Sequence, residues 1–401
     1  MIPEALPFAG LRVVDCGSFI ASPATAALMG DLGADVIKIE PPGQGDPLRR
    51  MHLHPDLAGS DSAYPWDLIS RNKRSLALDL KAPEALEILL RLTDDSDVFV
   101  TNFPPRVRER LGIGHDVLSS RNPGLIYAAF TGHGEDGPDR DKPGFDSTAF
   151  WSRSGLMRLT GPAEADPPRF PPGAGDQIGA LSLFGAISAA LYRRERTGQG
   201  GMATASLMGT GYWVNAVSIQ GALAGAGSRP RPARTDMPNA CFNSYRCRDG
   251  RWLVLTLANG EARGWPRLVA AIERTDLLDD PRFATPEARA SNAGMLIAEF
   301  DAAFATRDRA DWEARLGAVQ VVTGSVQDAA EATQDVQAEV AGLMPEAAAG
   351  RTVATPIGLD GAAPVYRAAP REVGIDGDAI LDALGVDAKT RARLRAAGQL
   401  G

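Results

Sequence analysis

The chain has 401 residues, 44% hydrophobic and 23% charged, an ordinary composition for a soluble protein of two or three domains at roughly 150 residues each. Its 42 Lys and Arg stand against 50 Asp and Glu, a net charge of −8, which argues against nucleic acid or an anionic membrane surface as the main partner. The 43 Gly and 29 Pro are spread along the chain, which excludes collagen and low-complexity disorder. Cys16, Cys241 and Cys247 cannot all pair within the chain and lack zinc-ligand spacing, so a reducing, cytoplasmic setting is expected. The opening MIPEALPFAG has no signal-peptide grammar, and no uninterrupted apolar run of about 18 residues suggests a membrane span.

The first third alternates strand and helix patterns. Leu11–Val14 reads as a strand. Pro23–Asp31 reads as a helix with Ser22 as its N-cap and Pro23 at its first position. Ala34–Ile39 reads as a second strand, paired parallel to the first because the connection is a crossover helix. Strands over Leu76–Leu80, Asp97–Val100 and Leu125–Phe130, with a helix over Pro83–Leu92, extend the pattern. The expected result is a parallel sheet covered on both faces. A long helix over Ile178–Arg194 carries an apolar stripe of Ile178, Leu181, Phe184, Ile187 and Leu191. Residues 222–238, rich in Gly, Pro, Ala and Arg, read as a linker. Beyond it lie a strand at Trp252–Leu257, a helix over Leu296–Phe304, a short strand at Ala318–Val322 that returns to the first domain, and helix over Asp376–Ala397.

Three features bear on chemistry. Gly132-His133-Gly134-Glu135-Asp136-Gly137 fits a dinucleotide fingerprint after a strand, but Pro138 to Pro143 cannot open the helix that such a site needs. The segment reads as a polar turn. Second, Pro171-Pro172-Gly173-Ala174-Gly175-Asp176 runs into the long helix. Two readings of Asp176 stand here: a helix cap, or a carboxylate held ionised by the helix N-terminus and left uncovered by Gly173, Gly175 and Gly179, able to act as a nucleophile. Third, Arg71-Asn72-Lys73-Arg74 and the set Arg106, Arg108 and Arg110 are basic clusters near strand ends, suited to phosphate. Arg108 and Arg110 read instead as a solvated helix face. The four histidines (52, 54, 115 and 133) are scattered, and no metal site is expected.

Six segments in order then carry a resemblance across nearly the whole chain: FAGLRVVDCGSFIASPATAALMGDLGADVIKIEPPGQGD, NKRSLALDLK, TNFPPRVRERLG, NPGLIYAAFTGHGEDGP, GFDSTAFWSRSGLMRLTG and GDQIGALSLFGAISAALYRRERTGQG. Together they resemble the family III CoA-transferases of the carnitine and formyl-CoA transferase type. The resemblance implies an α/β fold with a large Rossmann-like, parallel-sheet domain over residues 1–205, completed by 325–401. A linker and smaller α+β domain would span 206–324. It also implies an interlocked, ring-like homodimer. The family's nucleophilic Asp falls on Asp176. The family's CoA contacts carry over to Phe19, Ile20, Lys38, Asn72, Lys73, Asn102, Phe103 and Arg106.

The implied reaction moves CoA from an acyl-CoA to a small carboxylic acid through aspartyl anhydride and aspartyl-CoA thioester intermediates. It needs no metal and no permanently bound cofactor, because CoA enters as substrate. The alternative is the α-methylacyl-CoA racemase branch, but its Gly-His-Asp reads Gly144-Phe145-Asp146 here, and its Glu before Cys reads Arg246 before Cys247. Oxalate-using members carry Gln at the place of Ile20 and Arg at the place of Pro41, so oxalate is not the expected substrate. Arg153, Arg158 and Arg169 are candidates to hold a second carboxylate of a dicarboxylic acid. A partner subunit without turnover is a further alternative, which an intact nucleophile at Asp176 argues against.

Overall fold

The computed structural model describes residues 6–168, 170–227, 231–257 and 263–401. The chain divides into two compact units. The first comprises Met1–Met157, Arg169–Ser228 and Gly342–Gly401; the second comprises Arg158–Pro168 and Arg229–Ala341. Segments 207–223 therefore group with the first unit and 325–341 with the second.

The first unit is built on six parallel strands: β1 (Arg12–Asp15), β2 (Asp35–Glu40), β3 (Lys73–Ala77), β4 (Val98–Thr101), β5 (Ile126–Thr131) and β6 (Gly201–Ser206). Their order is β3-β2-β1-β4-β5-β6. Alternate side chains serve two cores. Val14, Phe99, Tyr127 and Ala129 face one side, packed with Ile88, Leu89, Leu92, Ile380 and Leu394. Val13, Val98, Ile126, Ala128 and Phe130 face the other, packed with Met29, Leu183, Ile187 and Leu191. Burial of both faces explains why these strands read as apolar runs rather than alternating ones. The order reverses between β1 and β4, and such a switch point leaves a crevice at the carboxyl ends of those two strands.

Several sequence expectations are corrected here. The first helix spans Ala21–Asp31 and its N-cap residue is Ile20. Ser22 is buried inside it, because Pro23 fits anywhere in a first turn whose N–H groups lack helical partners. The third strand starts at Lys73, so the basic cluster enters the sheet rather than preceding it. The C-terminal stretch is two helices, Gly377–Ala383 and Ala388–Ala396, separated at Gly385, whose φ is +67°. The expected strand at Ala318–Val322 is the end of a helix (Arg309–Ala318) and the first residue of β9 (Val322–Val326). That strand does not return to the parallel sheet. It pairs antiparallel with β8 (Trp252–Thr256), which pairs antiparallel with β7 (Phe242–Arg246). Tyr245, Leu253, Leu255, Leu268, Phe300, Phe304 and Trp312 pack as the core of this second unit.

The long helix runs from Ala174 to Thr197. By length and composition it is apolar enough to cross a membrane, yet Leu183, Ile187 and Leu191 pack into the core under the sheet. Ile178 and Leu181, expected in the buried stripe, are more than one-third exposed at 37% and 39%. The inward face is instead led by glycines. A Cβ on Gly175 would lie 2.6 Å from the Phe150 ring, and one on Gly179 would lie 2.5 Å from Phe130 Cζ. Contact at the helix backbone brings its N-terminus down onto the sheet and rotates the larger side chains outward. Gly179→Ala is expected to cost about 1–3 kcal/mol by overpacking against the buried Phe130 ring, measured as a lower urea midpoint at unchanged m-value.

Candidate active site

Gly173, with φ of +84°, precedes the helix, and Asp176 is its third residue. Asp176 therefore lies in the first turn, not at the cap. Its carboxylate has no hydrogen-bond partner among the described residues. The expectation that the helix end keeps it ionised is also corrected: burial, with the nearby Asp146 carboxylate second, pushes its pKa up to about 7. Desolvation and a like charge outweigh the helix dipole, whose effect is typically under about 1 kcal/mol. Asp146 is itself placed by the backbone, accepting a hydrogen bond from the Gly173 N–H at 2.9 Å.

Asp176 opens into a cleft of about 130 Å³ at the switch point of the sheet. Phe19 and Ile20 from the loop after β1, Asn102 from the end of β4, and Thr131 and Gly132 from the end of β5 line it, with Phe145 and Leu207. Gly132 and Gly144 pack backbone to backbone: a Cβ on Gly144 would lie 2.9 Å from Gly132 Cα. That approach lets the two loops meet beside the carboxylate.

The loop after β1 is fixed by buried polar groups. Asp15 Oδ1 accepts from the Gly17 N–H at 3.1 Å, and Asp46 Oδ1 accepts from the Phe19 N–H at 3.1 Å. Asn102 takes both sides of Ser18, accepting from its N–H at 2.9 Å and donating to its carbonyl at 2.7 Å. Lys38 Nζ donates to the Gly17 carbonyl at 2.5 Å and pairs with Asp46 at 2.9 Å. These contacts hold Phe19 at φ of +61°, a left-handed conformation that a bulky residue adopts only when its surroundings impose it.

Of the residues singled out from sequence, Asp176, Phe19, Ile20 and Asn102 come together at this cleft. The ammonium groups of Lys38 and Lys73 are spent inside the protein. Lys73 Nζ pairs with Asp15 at 2.8 Å and donates to the Pro23 carbonyl at 2.7 Å. Burial with these partners holds the Asp15 pKa below its ordinary range: desolvation alone would raise it, and Lys38 and Lys73 outweigh that. Asn72, at φ of +63°, donates to Asp31 and to the Val365 carbonyl, both at 2.7 Å. Phe103 is half-buried in the core beside helix Pro83–Asp94. Arg106 is exposed, and its backbone N–H is held by Asp141 at 2.8 Å. Arg108 is not on a solvated face. It is 4% exposed and pairs with Glu135 at 2.6 Å, because the helix Pro105–Leu111 turns that residue onto Tyr127.

Of the three arginines considered for a second carboxylate, the two described ones do not line the cleft. Arg153 pairs with Asp139 at 2.8 Å, Arg158 donates to the Ala163 carbonyl at 3.0 Å, and Arg169 lies outside the described residues. Sequence reasoning missed Asp15, Asp46 and Asp146. Asp15 had a readable signal: a carboxylate ending an apolar strand, with a lysine on each of two later strands, calls for buried pairing.

A family model described as CoA-transferase family III matches residues 8–376. The chain is 32% identical over 332 residues to the (R)-2-hydroxy-4-methylpentanoate CoA-transferase of Clostridioides difficile, covering 82% of each chain. It is 34% identical over 297 residues to the succinyl-CoA–D-citramalate CoA-transferase of Chloroflexus aurantiacus, covering 72% of this chain and 71% of that one. The crystal structure of a CAIB/BAIF family protein from Brucella suis superimposes with a TM-score of 0.85 at 30% identity, over 94% of this chain and 99% of that one.

Proposed function

The chain belongs to CoA-transferase family III and is an enzyme of the transferase class, and we propose that it moves CoA between carboxylic acids with Asp176 as the covalent nucleophile. The observation that carries this reading is the Asp176 carboxylate itself, free of partners among the described residues and open to a cleft at the sheet's switch point. A carboxylate with a raised pKa is a stronger nucleophile once ionised than an ordinary one.

In the proposed cycle, an Asp176 oxygen attacks the thioester carbonyl carbon of the donor and the C–S bond breaks, giving a mixed anhydride and CoA thiolate. The thiolate attacks the aspartyl carbonyl carbon, and the donor acid leaves with one oxygen from Asp176. The acceptor carboxylate attacks this aspartyl thioester and expels the thiolate again. The thiolate then attacks the acceptor's carbonyl, releasing the new acyl-CoA and the free Asp176 carboxylate. Every step exchanges carboxylate and thiolate, so protons and electrons balance without a co-reactant. Phe19, Ile20 and Asn102 line the thioester end of the site. Arg106 is an exposed cation available for the CoA phosphates, while Lys38, Asn72 and Lys73 act through the loops they hold.

The proposed assembly is a cytoplasmic, interlocked homodimer. Its support is an apolar surface on Leu207–Val214 and Ala216–Leu223, where Trp213 is 80% and Val217 90% exposed. A patch of that kind is usually covered.

Incubation of the protein with an acyl-CoA and a different free acid tests the reaction. Transfer predicts the second acyl-CoA by chromatography. Absence of any new thioester, with deuterium appearing at the α carbon of a 2-methylacyl-CoA, would favour the racemase alternative instead. The pH dependence follows from the raised pKa. Protonated Asp176 cannot attack, so kcat/KM for the donor is expected to rise with pH through about 7 and level off above it. A limb near pH 4 would mean that Asp176 titrates like an exposed carboxylate.

A further inference from the structure

We infer that the acid handled at Asp176 carries an uncharged, apolar chain, and that dicarboxylic acids are poor substrates; this rests on the role proposed for Asp176. The walls of the cleft are Phe19, Ile20, Phe130, Phe145 and Leu207 with the two glycine loops, and their polar members, Asn102 and Thr131, are neutral. Among the described residues, no Lys, Arg or His lines it. Lys38 and Lys73, behind the loop that carries Phe19 and Ile20, are committed to Asp46 and Asp15 in a fully buried network, and Arg153 pairs with Asp139.

The charge already present has the wrong sign for a second carboxylate. Asp146 sits close enough to Asp176 to disfavour its ionisation. A second substrate carboxylate placed there would lose water, gain no counter-charge and meet the Asp146 carboxylate, joined by that of Asp176 whenever Asp176 is not acylated. An apolar chain in the same place would bury its surface against aromatic rings and Ile20, which favours binding. Ile20 is held in this wall by contact with the chain just before the Asp176 helix: a Cβ on Gly173 would lie 2.7 Å from Ile20 Cδ1.

The test compares acids matched in length. Wild-type protein is assayed with butyrate against succinate and with pentanoate against glutarate, as acceptors from a common acyl-CoA donor. The monocarboxylate is expected to win each pair by at least about 30-fold in kcat/KM, the scale on which an unpaired buried charge discriminates. Equal rates, or a faster dicarboxylate, would overturn the inference. In Phe145→Arg, at a rim position 63% exposed, the gap is expected to narrow at least about threefold because a counter-charge is supplied. An unchanged gap would show that missing charge is not the cause and would also overturn it. Labelling of Asp176 by each donor, read by peptide mass, separates the two levels. Equal labelling by butyryl-CoA and succinyl-CoA removes this inference and leaves the covalent mechanism standing. No labelling of Asp176 by either removes the mechanism and the inference with it.

Discussion

Asp176→Asn is expected to abolish CoA transfer, lowering kcat by at least about 10³-fold, the scale seen when a covalent nucleophile is removed. The amide keeps the size of the side chain, and the wild-type group has no hydrogen bond to lose among the described residues. Binding of acyl-CoA should therefore survive, and Kd should change far less than kcat. Stability should move the other way. Burial raises the Asp176 pKa to about 7 in the folded protein against an ordinary value of 3.8. The unfolded chain ionises it freely from about pH 4, so its ionisation favours unfolding increasingly up to about pH 7 and stays unfavourable to the fold above that. The neutral amide of Asp176→Asn removes this burden. The variant's Tm is expected to exceed that of the wild type at pH 8 and to match it at pH 4. Loss of activity with an equal loss of stability at both pH values would point to a structural role instead.

Asp15→Ala is expected to be the most destabilising single substitution near the site, at about 3–5 kcal/mol. Asp15, Lys38 and Lys73 all have side chains with no solvent exposure. Without Asp15, Lys73 keeps only the Pro23 carbonyl among its close partners, and two buried ammonium groups share the single carboxylate of Asp46. The Gly17 N–H also loses its acceptor. Chemical denaturation should show the fall in midpoint. Residual protein should bind acyl-CoA weakly, because the loop carrying Phe19 and Ile20 loses one of its holds. By contrast, the Glu84 pair with Arg393 is open to water on both sides, and Glu84→Ala is expected to leave the midpoint unchanged within error.

The parallel sheet was legible because buried strands write themselves as apolar runs. Val13 and Val14, Val36 and Ile37, and Val98 to Val100 are buried on both sides, and each run lies inside its predicted strand. The long helix was legible in its existence but not in its facing. Sequence periodicity weights Ile178 and Leu181 by hydrophobicity, whereas the structure places Gly175 and Gly179 inward because Phe150 and Phe130 need the room. A glycine that serves packing carries no apolar signal of its own. Among the glycines, Asp176 read as either a cap or a nucleophile until the family resemblance singled it out, and its protonation was not legible at all. Its environment is set by Asp146, 30 positions earlier, and by burial that only the folded chain defines. The roles of Lys38 and Asn102 were missed for the same reason. Sequence shows a cation and an amide near strand ends; the structure shows both gripping the loop at Gly17 and Ser18.

The central claim is that Asp176 forms a covalent bond to the acyl group or to CoA during turnover. It is tested most directly by incubating the protein with an acyl-CoA and hydroxylamine, then digesting it and weighing the peptide that contains Asp176. An activated aspartyl carbonyl predicts a hydroxamate on that peptide, formed only with donor present and absent in Asp176→Ala. An unmodified Asp176 peptide during active CoA transfer would contradict the account.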